Sequence, residues 1–212
     1  MDRFTTIVFS ISSLSDLSEF LPLFAWLLYG RREMPYFVLG IFFFLSSFIK
    51  LATLVTAELS IHNMPAYHVL ACIEIVMFFC FYSNLFFNKV KWWGVIILCM
   101  LNAANTIFLQ DITTFNSIAW TVNMIVLLGL GLTYLFQIYK RENDYTPLEK
   151  RPDFIITAGL LIYASGSLFT YLMGTEILSG KPQGFFHNAW LFHCIANISK
   201  NFIVSYGLWL TK

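Results

Sequence analysis

Charge is what this chain has least of. Only 12 % of its 212 residues are Asp, Glu, Lys or Arg, and 58 % are hydrophobic; a soluble domain carries roughly a quarter charged residues. A buried core does not account for so large a deficit. The composition therefore excludes an ordinary water-soluble fold and predicts a polytopic membrane protein. The formal net charge of +1 gives no basic surface for a nucleic-acid partner. Cysteine is sparse, and Cys72, Cys80, Cys99 and Cys194 all fall inside apolar stretches, which reads as small buried hydrophobes rather than a disulfide framework or zinc ligands. There is no internal repeat, which argues against a transporter assembled from duplicated halves. There is no HExxH and no i, i+4 histidine pair, which argues against a metal site on one helix.

What is present is a series of apolar runs long enough to cross a bilayer, for which ~20 residues are needed. Seven windows qualify, at about 7–29, 35–57, 66–87, 92–110, 115–138, 154–177 and 187–210. The gaps between them are short, so residues 1–212 are expected to form one transmembrane domain with no soluble domain. The first run is interrupted by Asp16 and Glu19 and lacks a small-residue cleavage site, so it reads as a span rather than a cleavable signal. Its two carboxylates are expected to turn inward, because facing lipid would cost several kcal/mol.

Lysine and arginine are distributed unevenly over the connections. Arg31, Arg32, Lys89, Lys91, Lys140, Arg141, Lys150, Arg151 and Lys212 fall on one side, and only Arg3 and Lys181 on the other. The positive-inside rule then predicts an outside N-terminus and a cytoplasmic C-terminus. Trp92, Trp93, Tyr139 and Trp209 lie near the cytoplasmic ends, as an aromatic belt would.

Every predicted helix also carries a polar stripe at about i, i+4, i+7 spacing, which puts its members on one face. The stripes are Ser12, Asp16 and Glu19; Ser46, Lys50 and Thr53; Tyr67 and Glu74, beside His68; Asn102, Asn105 and Thr106; Asn116, Trp120 and Asn123; Tyr163, Ser167 and Thr170; and His193, Asn197 and Lys200, with Asn201 beyond. At ~1.5 Å rise per residue, Asp16, Lys50, Glu74, Asn102 and Asn123 all come out about 10–14 Å below the outer boundary. His193 lies somewhat above that layer, and Glu19 and Lys200 below it. Asn, Ser and Thr alone would read as interhelical glue. Five ionisable groups gathered in the outer half and toward the middle of the membrane read as a functional site, because intramembrane charges survive only by pairing or by facing water. Lys200 is expected near Glu19, and Lys50 near Glu74 or Asp16.

The layout resembles that of retinal proteins in one respect. Lys200, midway along the seventh helix, takes the place of a Schiff-base lysine, with Glu74 on the third helix as counter-ion. It departs from the microbial pattern at Ala196, where an aspartate stands four residues before that lysine, and residues 154–177 contain neither Trp nor Pro. The cofactor is therefore left open, with a retinal at Lys200 or a metal at His193 as the alternatives.

The expected fold is an all-α integral membrane bundle of seven helices with an outward-facing polar pocket. The candidate ligand-binding or ion-pair network is Asp16, Glu19, Lys50, Glu74, Asn102, Asn123, His193, Asn197 and Lys200. The expected function is that of a receptor- or sensor-like protein of the cell (inner) membrane, which takes a small or amphipathic ligand and signals through a cytoplasmic partner. The charged stretch Lys140–Pro152 is either the docking surface for that partner or a solvated connector. A small transporter or proton-coupled carrier, and a membrane-embedded enzyme, are the alternatives.

Overall fold

The computed structural model describes residues 3–30, 33–140, 146–174 and 183–212. Arg31, Arg32, Arg141 and Lys181 lie outside the described residues, as does part of the Lys140–Pro152 connection. The architecture is all-α, with no strand among the described residues. The helices are α1 (Arg3–Ser18), α2 (Phe20–Tyr29), α3 (Met34–Glu58), α4 (Met64–Phe87), α5 (Trp92–Ala104), α6 (Ser117–Tyr139), α7 (Pro152–Leu172) and α8 (Gln183–Trp209). α1 and α2 together form the first rod, so the described residues make seven rods.

Proline placement explains several boundaries. Pro35, Pro65 and Pro152 stand in the first turns of α3, α4 and α7, where a missing N–H is harmless. Pro22 is the exception. It cannot donate to the Ser18 carbonyl, and its ring crowds that carbonyl; the helix is interrupted at Glu19, directly after Ser18. At the end of α4, Asn88 adopts the left-handed conformation (φ 53°), a conformation asparagine tolerates at a helix terminus. The Ser83 hydroxyl donates to the Lys89 carbonyl and accepts from the Lys91 N–H, each at 2.9 Å, which fixes the turn into α5. α5 itself loosens into a π-helical turn over Asn105–Leu109.

Packing runs around a closed ring. The first rod lies against α3 and α8, α3 against α4, α4 against α6, α6 against α7, and α7 most extensively against α8. α5 stands outside this ring and leans on α4. The α7–α8 approach is close because small residues line it: a Cβ on Gly166 would meet the Cβ of Ala196 at 2.6 Å, the small-residue packing expected where lipid supplies no hydrophobic drive.

The surface is inside out relative to a soluble protein. Large apolar side chains such as Phe24, Leu28, Phe48, Ile97 and Phe108 are exposed around the bundle, far more than water tolerates. Ser46, Glu74, Asn123, Ser167, Asn197 and Lys200 are buried within it. Six rods are long and apolar enough to cross a membrane. The seventh, α8, has the length, but His193, Asn197, Lys200 and Asn201 lower its hydropathy, and all four are turned inward. The chain is an all-α, integral membrane bundle of seven helical rods.

One half of the ring is filled by apolar side chains. Phe43, Phe78, Phe81, Tyr82, Ile156 and Leu160 are fully buried there. This half adjoins the end that carries Lys89, Lys91, Lys140, Lys150, Arg151 and Lys212, with Trp92, Trp93, Tyr139 and Trp209 exposed near it. The other half, adjoining the Asn63–Met64 turn, holds a cavity.

Candidate functional site

Helical periodicity brings the polar stripes of α1, α3, α4, α7 and α8 onto the inner wall of the ring, and a cavity of about 310 Å³ opens where they meet. It reaches from Asn63 and Met64 at the start of α4 down to Glu74, a depth of about 15 Å at 1.5 Å per residue. Asp16, Glu19, Lys50, Glu74, His193, Asn197 and Lys200 all line it. Asn102 and Asn123 do not.

The cluster is organised around Glu19, at the break between α1 and α2. Its Oε1 accepts from Lys50 Nζ at 2.8 Å and from Asn197 Nδ2 at 3.3 Å, and its Oε2 accepts from the Ser46 hydroxyl at 3.1 Å. Lys50 Nζ also reaches Asp16 Oδ1 at 3.0 Å. Asn197 donates to Ser15 Oγ at 3.0 Å as well. One lysine is thus shared by two carboxylates, and α1, α3 and α8 are tied together at one point. Ser15, Glu19, Ser46 and Asn197 are buried and Lys50 nearly so, while the Asp16 side chain keeps 39 % of its surface exposed.

Lys200 is differently placed from its sequence expectation. It is buried, with 3 % exposure, so it does not face lipid. But it forms no ion pair within 4.0 Å among the described residues; its ammonium lies 4.3 Å from the centroid of the Tyr163 ring instead. The carboxylate assigned to it, Glu19, is taken by Lys50. Of the two partners expected for Lys50, Asp16 is the one it meets, and Glu74 has a buried Oε1 with no hydrogen-bond partner. Lys200 and Glu74 lie in each other's electrostatic field without touching. The physical reason is geometric. Spacing along a helix fixes a face and a depth, whereas the ring order decides which faces meet, and α3 adjoins the first rod.

His193 is held by hydroxyls rather than by charge. Its Nδ1 lies 2.9 Å from Ser167 Oγ and its Nε2 3.5 Å from the Tyr171 hydroxyl. His68 is elsewhere, between Thr106 Oγ1 at 2.9 Å and the Thr114 carbonyl at 3.1 Å. Among the described residues no group of three His, Cys, Asp or Glu side chains is arranged to hold a metal.

Asn102 and Asn123 stand apart from the cavity lining. Asn102 shares the depth of the cluster, but it stands on α5, outside the ring, and its Nδ2 donates to the Leu98 carbonyl of its own helix at 3.1 Å. Asn123 faces α4 and donates to the Ala71 carbonyl at 2.7 Å, an interhelical bond of the kind that fastens membrane helices.

Helical periodicity of polar residues passes over the aromatic wall. Phe115, Tyr171 and Trp190 line the cavity beside Tyr67, Trp120 and Tyr163. Trp120 stacks on Tyr171 with centroids 5.2 Å apart and planes at 22°. In a membrane helix a lone aromatic reads as lipid-facing by default; the usable signal is that Trp190 precedes His193 by three residues and Tyr171 follows Ser167 by four, which puts each on the polar face. The cavity is therefore charged at its floor and aromatic above. Such a site offers hydrogen bonds, a fixed charge pattern and π faces to a small molecule, and among the described residues no metal-ligand set is assembled in it. No protein family, curated protein or solved structure was found to match the chain.

Proposed function

We propose that this chain is a receptor- or sensor-like membrane protein that binds a small ligand in the cavity of its outer half, with the N-terminus outside and the C-terminus cytoplasmic. The observation that carries the reading is the convergence of seven polar side chains, from Asp16 to Lys200, on one cavity of about 310 Å³. That volume falls at the small end of ligand pockets. Charge is kept in a bilayer only where it is paired or used, and Lys200 and Glu74 have no ion pair within 4.0 Å among the described residues. The opposite half is filled largely by apolar side chains, Phe78, Phe81, Ile156 and Leu160 among them, which supports binding over transport. With such short connections, output would pass through a partner protein at the basic face.

Orientation is tested with single cysteines placed in a variant whose four native cysteines are replaced. Thr113→Cys is expected to react with a membrane-impermeant thiol reagent on intact cells, and Lys89→Cys only after permeabilisation. The reverse pattern would invert the topology. Binding is tested by native mass spectrometry of the protein released from lipid nanodiscs. A co-purifying small molecule that is lost in the Glu19→Gln and Glu74→Gln variants is the expected result; a clean apo mass under all conditions counts against a resident ligand.

A further inference from the structure

We infer that the ligand of this cavity is a small organic monocation, a protonated or quaternary amine on an aromatic or short apolar body, seated with its charge at Glu74. The inference rests on the ligand-binding reading above and adds its chemical class.

The first ground is the charge inventory. Three carboxylates line the cavity, Asp16, Glu19 and Glu74, against two lysines. His193 meets the hydroxyls of Ser167 and Tyr171 and no carboxylate. With all three carboxylates ionised and His193 neutral, the lining is one positive charge short, a deficit that a proton on one carboxyl covers when no cation is bound. The second ground locates the deficit. Lys50 is consumed by Asp16 and Glu19, at 3.0 and 2.8 Å. Lys200 rests on the π face of Tyr163 at 4.3 Å. Glu74 is the carboxylate left without a cation within 4.0 Å among the described residues: it is 4 % exposed, it lines the cavity, and while the Tyr163 hydroxyl hydrogen-bonds the group, its Oε1 is unpartnered. A buried carboxylate with no cation in contact is costly, and a cation delivered by a ligand removes that cost. The third ground is the wall above it. Trp120, Tyr171, Trp190, Phe115 and Tyr67 present aromatic surface along the cavity, and aromatic faces attract ammonium groups, quaternary ones included. A metal ion does not fit the same place, because no three ligand-type side chains converge there among the described residues.

The test uses the full chain in nanodiscs and five probes of matched size: phenethylammonium, benzyltrimethylammonium, neutral 2-phenylethanol, anionic phenylacetate and zwitterionic phenylalanine. Binding is read as thermal stabilisation and, independently, as mass adducts. Either or both ammonium probes are expected to bind, and the other three not. Glu74→Gln is expected to weaken that binding by roughly tenfold or more, and Glu74→Asp to keep most of it. Lys200→Met removes a like charge from the lining and is expected to tighten it. The opposite signs at two lining positions are a result that a fold defect does not imitate, and Glu74→Asp and Lys200→Met keep the test decisive if Glu74→Gln fails to fold. Preference for phenylacetate, phenylalanine or 2-phenylethanol overturns the monocation and leaves the ligand-binding reading standing. Ammonium binding unchanged by Glu74→Gln overturns the assigned seat. The absence of binding by all five probes, in both readouts, overturns the monocation and counts against a resident ligand as well.

Discussion

Lys200 and Glu74 line one cavity from different helices, and no ion pair within 4.0 Å joins them. Lys50 and Glu19, a short distance away, are in contact at 2.8 Å. The same bilayer depth therefore holds one satisfied buried ion cluster and two charges held apart, and the two arrangements have different energetic signatures.

Lys50→Met is expected to lower unfolding stability by about 3–5 kcal/mol, because it strands a buried carboxylate. Adding Glu19→Gln should recover part of that loss. Asp16→Asn should cost less than ~1 kcal/mol, since its carboxylate is partly exposed. Thermal or denaturant unfolding in detergent gives all three values, and additive effects of Lys50→Met and Glu19→Gln would contradict the pair.

Lys200 is expected to couple to Tyr163 more strongly than to Glu19. A double-mutant cycle of Lys200→Met with Tyr163→Leu should return ~1–2 kcal/mol of cation–π coupling, with Tyr163→Phe preserving most of it. A larger coupling to Glu19 than to Tyr163 would place the ammonium wrongly.

Asn123→Ala is expected to cost on the order of 0.6 kcal/mol, the ordinary worth of a hydrogen bond between membrane helices, and to leave ammonium-probe affinity unchanged. Asn102→Ala should likewise leave it unchanged. Asn197→Ala should alter affinity, because it removes a donor to Glu19 and Ser15 at the cavity wall. Binding isotherms on the three variants separate wall from glue.

Gly40→Ala is expected to destabilise the bundle by about 1–3 kcal/mol, because its Cβ would run into the Trp26 ring of α2. Gly129→Ala meets open space and should raise stability by up to ~1 kcal/mol through helix propensity. Unfolding midpoints of the two variants should move in opposite directions.

The sequence made the rods, the inward turn of Asp16 and Glu19, and the depth of the polar layer readable, because all three follow from period and length. The face of α8 bearing His193, Asn197 and Lys200 was readable for the same reason. What could not be read was lateral order. Asn102 has the right depth and the wrong neighbour, since nothing in its own helix says that α5 stands outside the ring. The partner of Lys50 depended on α3 lying beside the first rod, and that adjacency left Lys200 without the carboxylate assigned to it. Phe115, Tyr171 and Trp190 were missed because hydropathy does not distinguish a ring facing lipid from one facing a cavity.

The interruption at Glu19 is also a point of attachment. The joint between the two pieces of the first rod carries the residue to which Lys50, Ser46 and Asn197 are fastened. The polar bonds of α3 and α8 thus meet the first rod at the residue where its own helical bonding is interrupted.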